Sequence, residues 1–258
     1  MADREPMLLK VIACEIAFRE LSHAASRSRN LIDFEFLTQG YHDIPAQGRP
    51  EIQRRIDAVP AGRYQAIVLG YGLCSNILAG LTTAHTPLVI PRAHDCITFF
   101  LGSKERYRHA FDAEPGTYYY SSGWLECSKR RGDGAAKWGG AAMPAGSNAN
   151  LKATFDQWVQ KYGEETAKYL MEEMGRWTQA YNNGTLIDFE FLEHLKLDEQ
   201  VKQICRERGW QFQRKPGDLS LLQRLLDAEW NESEVLIVQP GQKVGASFDE
   251  RIIGIAGT

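Results

Sequence analysis

Two cysteines and a histidine follow two successive apolar runs of the chain. Cys74 comes shortly after one run, and His94 and Cys96 come shortly after the next. Because the carboxyl ends of neighbouring parallel strands meet at one edge of a sheet, we expect these side chains to converge. Two thiolates and an imidazole with an open fourth position suit a catalytic zinc ion, with iron the weaker candidate, whereas Cys14 or His42 as fourth ligand would make the site structural. The spacing therefore predicts a metal site at Cys74, His94 and Cys96.

The same residues also allow chemistry without a metal. Cys74 or Cys96 would then be a nucleophile paired with His94, as in acyl or amidino transfer, and the protein would be a transferase or hydrolase. A third possibility is a protein that binds a cofactor or a metal without turning anything over. The residue types at this site leave all three possibilities open.

Other residues near these cysteines in the sequence complete the predicted site. The side chains expected to orient a substrate or move a proton are His42, Tyr71, Arg92, Asp95 and Glu126. An arginine at such a position can clamp a carboxylate or phosphate, and histidine or glutamate can act as the general base. The residues expected to contact a bound cofactor are Cys14, Gly72 and Trp124. Taken alone, Cys14 also fits a small core residue.

Strand-like and helix-like segments alternate along most of the chain. Short apolar or alternating segments predict strands at residues 8–14, 31–37, 66–69, 88–91, 210–212 and 234–238. Apolar residues at helical spacing lie between them, and this order is typical of a mainly parallel sheet. We therefore predict an α/β fold.

One heptapeptide occurs twice. The letters LIDFEFL stand at residues 31–37 and again at 186–192. An internal duplication would give two Rossmann-like lobes, and a chance match at one strand is the alternative. The predicted division is an N-terminal α/β lobe at 1–126 that carries the Cys/His site, a glycine-rich loop with a helical connection at 127–183, and a C-terminal α/β lobe at 184–258.

Composition narrows the class of protein. The chain has 258 residues and a formal net charge of -3, which gives no reason to expect a nucleic acid or an anionic membrane as partner. No stretch approaches a membrane span and the N-terminus lacks a secretion signal, so we expect a cytoplasmic protein with a small-molecule substrate. Its five cysteines are an odd number without framework spacing, which favours free or metal-bound thiols. Apolar surface between residues 151 and 181 could support a homodimer.

Three motifs carry a resemblance to a known family. The segments YGLC at 71–74, PRAHDCI at 91–97 and GWLE at 123–126 resemble the uncharacterised family known as domain of unknown function 1638. The resemblance covers most of residues 8–126 and, more loosely, the C-terminal lobe. Cys74, His94, Asp95 and Cys96 match the family pattern. It implies a link to corrinoid and folate one-carbon metabolism. The expected function is thus a zinc-dependent enzyme of methyl or one-carbon transfer, with folate or corrinoid as partner cofactor and a corrinoid protein as an expected partner.

Overall fold

A computed structural model describes residues 4–42, 44–131, 155–156, 158–170, 181–247 and 249–257.

The chain divides into two compact units. Unit one comprises Met1–His109 together with Gly217–Thr258, and unit two comprises Ala110–Pro216. The last part of the chain, which we expected in a lobe of its own, thus belongs to unit one. Most of the predicted loop and helical connection at 127–183 lies outside the described residues, as does about half of the predicted dimer surface at 151–181.

The helices and strands follow one another in the alternating order that the sequence predicts. The strands are β1 Leu8–Cys14, β2 Leu31–Leu37, β3 Ala66–Gly70, β4 Leu88–Pro91, β5 Thr117–Tyr120, β6 Asn183–Asp188, β7 Gln211–Pro216, β8 Val235–Val238, β9 Val244–Ala246 and β10 Ile253–Ile255. The helices that we label are α1 Phe18–Arg27, α2 Pro45–Asp57, α3 Ile97–Leu101, α4 Lys104–Ala113, α5 Ser122–Arg131, α6 Leu197–Arg208 and α7 Ser220–Leu226.

Unit one is built on a five-stranded sheet in the order β2-β1-β3-β4-β8. Strands β1 to β4 pair in parallel, and β8 joins antiparallel to β4. Every residue of β3 and β4 is buried, as expected for central strands covered on both faces. The chain moves from β1 to β2 on one side and then returns to β3 on the other side of β1. The crevice between β1 and β3 is therefore the topological switch point, where open α/β sheets bind their ligands.

Unit two contains a separate parallel sheet in the order β5-β6-β7. Its core is formed by Tyr120, Leu125, Leu186, Val201 and Cys205. Both units are thus α/β with mainly parallel strands, as the sequence predicts.

The repeated heptapeptide adopts two different structures. Residues Leu31–Leu37 form the whole of β2, an edge strand whose first residue, Leu31, is 61% exposed. In the second copy only the first three letters are strand, at the end of β6, and Glu190–Leu195 is a 3₁₀ helix. Leu186, the counterpart of Leu31, is 1% exposed. The two copies share a sequence without sharing a conformation, so the expected duplication gains no support.

Two other expectations concern thiols and membranes. All five cysteines are free thiols. Within the described parts of the chain, no helix has the length and apolarity needed to cross a membrane.

Candidate functional site

The carboxyl-terminal edge of the unit-one sheet gathers several reactive side chains. Cys14 ends β1 and Glu15 follows it; Tyr71 follows β3, and the turn that carries Cys74 comes next. Asp95 comes from the segment between β4 and α3. This is the edge at which the switch point opens, so the fold places these residues where a ligand would bind.

The segments that follow β3 and β4 are joined by backbone hydrogen bonds. The Leu73 N–H donates to the Ala93 carbonyl at 2.8 Å, and the Cys74 N–H donates to the His94 carbonyl at 2.9 Å. Gly72 also packs against the segment that follows β4. A Cβ atom added to Gly72 would stand only 2.7 Å from the Asp95 Cα. Only glycine allows this approach, which fixes the Cys74 and Asp95 segments against each other.

Cys74 begins a turn with an uncommon backbone. Cys74, Ser75 and Asn76 have φ angles of 29°, 52° and 61°, in the left-handed region that residues other than glycine rarely occupy. The turn is closed by the Ile77 N–H, which donates to the Leu73 carbonyl at 3.0 Å. The Arg49 guanidinium also donates to the Asn76 carbonyl at 2.9 Å. Backbone strain of this kind costs on the order of 1 kcal/mol or more per residue and is concentrated at functional sites.

The Cys74 thiol is held in a crowded, acidic environment. Burial and then the negative charge of Asp95 raise the pKa of the thiol to about 12, against the opposing effect of backbone hydrogen bonds from Cys96 and Gly72. The resting group is therefore a neutral thiol at physiological pH. The two backbone N–H groups would stabilise a sulfur anion once one forms.

Asp95 is the carboxylate next to this thiol. Its Oδ1 accepts a hydrogen bond from the Ile97 N–H at 3.0 Å, and its Oδ2 accepts one from the Tyr107 hydroxyl at 3.1 Å. Burial nevertheless raises the pKa of Asp95 above its ordinary value. A carboxylate with a raised pKa is a stronger base than an exposed aspartate.

Tyr71 contributes a buried hydroxyl at the switch point. The residue is 4% exposed, and its hydroxyl oxygen has no hydrogen-bond partner. Burial raises the pKa of Tyr71 well above its usual range, and the acidic neighbours Cys14, Tyr41, Cys74 and Glu15 raise it further. The hydroxyl thus remains protonated.

Glu15 and Cys14 line the β1 side of the crevice. Glu15 is partly exposed, and its Oε1 accepts hydrogen bonds from the Thr38 hydroxyl at 3.2 Å and from the Gln39 N–H at 2.9 Å. Cys14 is buried. Both residues lie close enough to Tyr71 to act on its ionisation.

The described residues do not gather a set of metal ligands. No group of three or more His, Cys, Asp or Glu side chains within the described ranges could hold a metal ion. His94 is exposed, and Cys96 supplies a backbone hydrogen bond to the Cys74 thiol. The expected convergence of Cys74, His94 and Cys96 as zinc ligands therefore has no support in this geometry.

Arg92 has a structural role instead of the expected substrate clamp. Its guanidinium donates to the Glu232 carbonyl at 2.7 Å, to the Arg251 carbonyl at 3.0 Å and to the carbonyl of Ile253. These bonds tie the end of β4 to the C-terminal segment of unit one. The Nε and Nη1 donors of Arg92 are therefore used by backbone carbonyls.

Three other predicted residues either belong to unit two or have a side chain outside the described parts. His42 ends the 3₁₀ turn Gln39–His42, but its side chain is outside the described parts. Glu126 and Trp124 lie on α5 in unit two, where the Trp124 ring packs against Tyr118 at a centroid distance of 6.3 Å. The site built from unit-one residues therefore does not include them.

Glu15 and Tyr107 are site residues that the sequence analysis missed. Glu15 directly follows Cys14 at the end of a predicted strand, so its position at the sheet edge was available as a signal. Tyr107 lies within α4 and reaches Asp95 only through the tertiary fold, so no local pattern marks it.

Comparison with known families gives one match. The family described as "Protein of unknown function (DUF1638)" matches residues 36–226, about three quarters of the chain, and the chain belongs to this family. No curated protein and no solved structure matches the chain. The resemblance found in the three sequence motifs is thus confirmed.

Proposed function

We propose that this member of the family is a group-transfer enzyme in which the Cys74 thiol is the nucleophile and Asp95 is its base. The observation that carries the proposal is the environment of one sulfur atom. Cys74 lies beside the Asp95 carboxyl group and receives backbone hydrogen bonds from Gly72 and Cys96. A base beside a nucleophile, with fixed donors for the anion, is the arrangement that covalent catalysis requires.

The reaction would take place on an acyl or amidino carbon. The Cys74 sulfur forms a bond to that carbon, the π electron pair moves to the oxygen or nitrogen, and Asp95 accepts the thiol proton. Asp95 then gives the proton to the leaving amine or alcohol, which departs with the electron pair of the broken bond. An acceptor or water releases the group from sulfur in the reverse sequence. A positioned acid/base group contributes about 10²- to 10⁴-fold to such a reaction.

The proposed base differs from the one that the sequence predicts. We expected His94 to activate the cysteine, but His94 is exposed, whereas Asp95 is close enough to Cys74 to raise its pKa. A formyl or formimidoyl group would make the reaction a one-carbon transfer, and a folate-type acceptor would fit the metabolism that the family resemblance implies. Zinc and a corrinoid stay expectations, and the mechanism uses neither.

A burst assay tests the proposal without knowledge of the substrate. The protein is treated with a chelator and mixed with p-nitrophenyl acetate, and nitrophenolate release is followed in the wild type, Cys74→Ser and Cys205→Ser. Cys205 is a buried thiol in unit two and serves as the control. We expect a burst approaching one equivalent per chain in the wild type and Cys205→Ser, and none in Cys74→Ser. A burst that survives in Cys74→Ser, or one that depends on added zinc, would contradict the proposal.

A further inference from the structure

The turn that carries Cys74 has a backbone conformation that its own residues do not favour. Cys74, Ser75 and Asn76 have φ angles of 29°, 52° and 61°, and none of the three is glycine. The left-handed region is costly for residues with a Cβ, and of these three only asparagine visits it with some ease. Such a conformation persists only where the surrounding protein holds it. Contacts from outside the turn must therefore supply part of its stability.

The segment that follows β4 holds the beginning of the turn. The Leu73 N–H donates to the Ala93 carbonyl at 2.8 Å, and the next N–H along the chain donates to the His94 carbonyl at 2.9 Å. The bond from the Ile77 N–H to the Leu73 carbonyl, at 3.0 Å, closes the turn without joining it to another part of the fold. The later residues of the turn are therefore fixed only if another element contacts them.

Helix α2 makes that contact through two adjacent residues. The Arg49 guanidinium donates from Nη2 to the Asn76 carbonyl at 2.9 Å. Gly48 lies directly against Ile77, because a Cβ on Gly48 would stand 2.7 Å from the Ile77 Cδ1. Ile77 is 0% exposed, so this packing belongs to the core. Helix α2 thus fixes the end of the turn, although the bonded residues are 27 positions apart in the sequence.

The placement of the Arg49 side chain is not explained by stability alone. Its Nε is buried and has no hydrogen-bond partner among the described residues. A buried donor without a partner disfavours the folded state. The bond from Nη2 to the Asn76 carbonyl is charge-assisted, and such bonds are stronger than those between neutral groups. The guanidinium therefore stabilises the turn while one of its own donors is left unsatisfied.

We infer that Arg49 is a positioning residue for the proposed nucleophile, because its bond to the Asn76 carbonyl holds the turn in the conformation from which the Cys74 thiol reacts. The inference rests on the proposed function of Cys74 and adds to it a residue from another element of the fold. Loss of the bond would let Ser75 and Asn76 relax toward ordinary backbone angles and would move the thiol on the same turn. A displacement of about 1 Å can slow a reaction about a hundredfold.

Burst kinetics of the full-length, chelator-treated protein with p-nitrophenyl acetate test this role. Arg49→Met removes the donors, and Arg49→Lys restores a positively charged donor. Arg54→Met is the matched control, since Arg54 lies on the same helix with its side chain 60% exposed. We expect acetylation of Arg49→Met to be at least about tenfold slower at an unchanged amplitude per chain, and that of Arg49→Lys to recover to within about threefold of the wild type.

The split between rate and amplitude separates positioning from a structural role. A variant that is only less stable would lose amplitude, because fewer chains are folded, while the folded chains would react at the wild-type rate. Arg54→Met should match the wild type in both quantities. A wild-type rate constant in folded Arg49→Met would overturn the inference.

Hydrogen exchange measures the turn without use of the ester. The Ile77 N–H should exchange at least about tenfold faster in Arg49→Met than in the wild type, whereas the Val68 N–H of β3 should exchange equally in both. If Arg49→Met does not fold, Arg49→Gln takes its place in both measurements, because its amide stops short of the Asn76 carbonyl. Equal exchange of the Ile77 N–H in variant and wild type would contradict the inference.

The outcomes separate the inference from the proposed function. Faster exchange of Ile77 in Arg49→Met, together with no burst in the wild type, would confirm that Arg49 holds the turn and reject Cys74 as the nucleophile. A wild-type burst whose rate does not change in Arg49→Met would reject the inference and leave the nucleophile in place.

Discussion

Gly72 lies against the backbone of Asp95 so closely that a methyl group on its Cα would stand 2.7 Å from the Asp95 Cα. This contact joins the segments that follow β3 and β4, and it sets where the Cys74 thiol lies relative to its proposed base. The neighbour is backbone, so it cannot move aside as a flexible side chain would.

Gly72→Ala should therefore destabilise the protein by about 2 kcal/mol or more, since overpacking in a fixed environment has this effect. Gly254→Ala is the matched control, because a Cβ there would meet nothing within 4 Å. It should change the free energy of unfolding by no more than about 0.5 kcal/mol. Urea denaturation measures both, and equal stabilities of the two variants would show that the Gly72 contact is not tight.

Tyr71→Phe and Tyr64→Phe should have opposite effects on stability. The Tyr71 hydroxyl is buried without a partner, so its removal should leave the free energy of unfolding unchanged or raise it by about 1 kcal/mol. The Tyr64 hydroxyl donates to the Asp33 carboxylate, and its removal should lower the free energy of unfolding by about 1 kcal/mol. If Tyr71→Phe were the more destabilising change, its hydroxyl would have a partner in the protein itself.

The pH dependence of Tyr64→Phe has a definite sign. The hydrogen bond from Tyr64 lowers the pKa of Asp33 below its ordinary value of 3.8, so the folded state binds the Asp33 proton less tightly than the unfolded state. The resulting stability is present above the unfolded pKa and is lost as the pH falls through the folded pKa. The difference between wild type and Tyr64→Phe should thus be largest near neutral pH and shrink below pH 3.8. A difference that grows in acid would contradict this assignment.

The alkylation of Cys74 should rise with pH further than that of an ordinary cysteine. The thiolate is the reacting form, and burial and Asp95 raise the pKa of this thiol to about 12. The rate with iodoacetamide, followed peptide by peptide, should still be increasing at the highest pH at which circular dichroism shows a folded protein. A rate that stops increasing between pH 8 and 9 would show that the Cys74 thiol has the pKa of an ordinary cysteine.

Purified protein should contain zinc far below one atom per chain. The described residues offer no group of three ligands, so neither chelation nor the variants Cys74→Ala and Cys96→Ala should change the metal content. Elemental analysis of the wild type beside both variants measures this. One zinc per chain that disappears in Cys74→Ala would restore the metal site that the sequence predicts.

Much of the fold could be predicted because its signals are local. Apolar runs predicted β1 and β4, and alternating residues predicted β2. All three strands have the predicted bounds. The position of β8 could not be predicted, because pairing with β4 across almost 150 residues depends on the tertiary fold. The heptapeptide also depends on the tertiary fold, because its two copies adopt different conformations. Leu31 in the first copy is exposed, whereas Leu186 in the second copy is buried.

The strand ends that carry the candidate residues were predicted, whereas the directions of the side chains were not. Strand ends correctly indicated the edge with Cys14, Tyr71, Cys74 and Asp95. The residue types led us to expect that the side chains of His94 and Cys96 face Cys74. In the structure His94 is exposed, and Cys96 contributes a backbone hydrogen bond to the Cys74 thiol. Likewise, only the fold shows that the donors of Arg92 are used by carbonyl groups.

We propose that Cys74 is the reactive group among the five cysteines. Peptide-resolved mass spectrometry after a brief reaction of chelator-treated protein with p-nitrophenyl acetate locates the acetyl group. We expect it on Cys74, and we expect Asp95→Asn to acquire it more slowly at neutral pH, where the base is needed. Acetylation of other thiols with Cys74 unmodified would show that Cys74 is not the nucleophile.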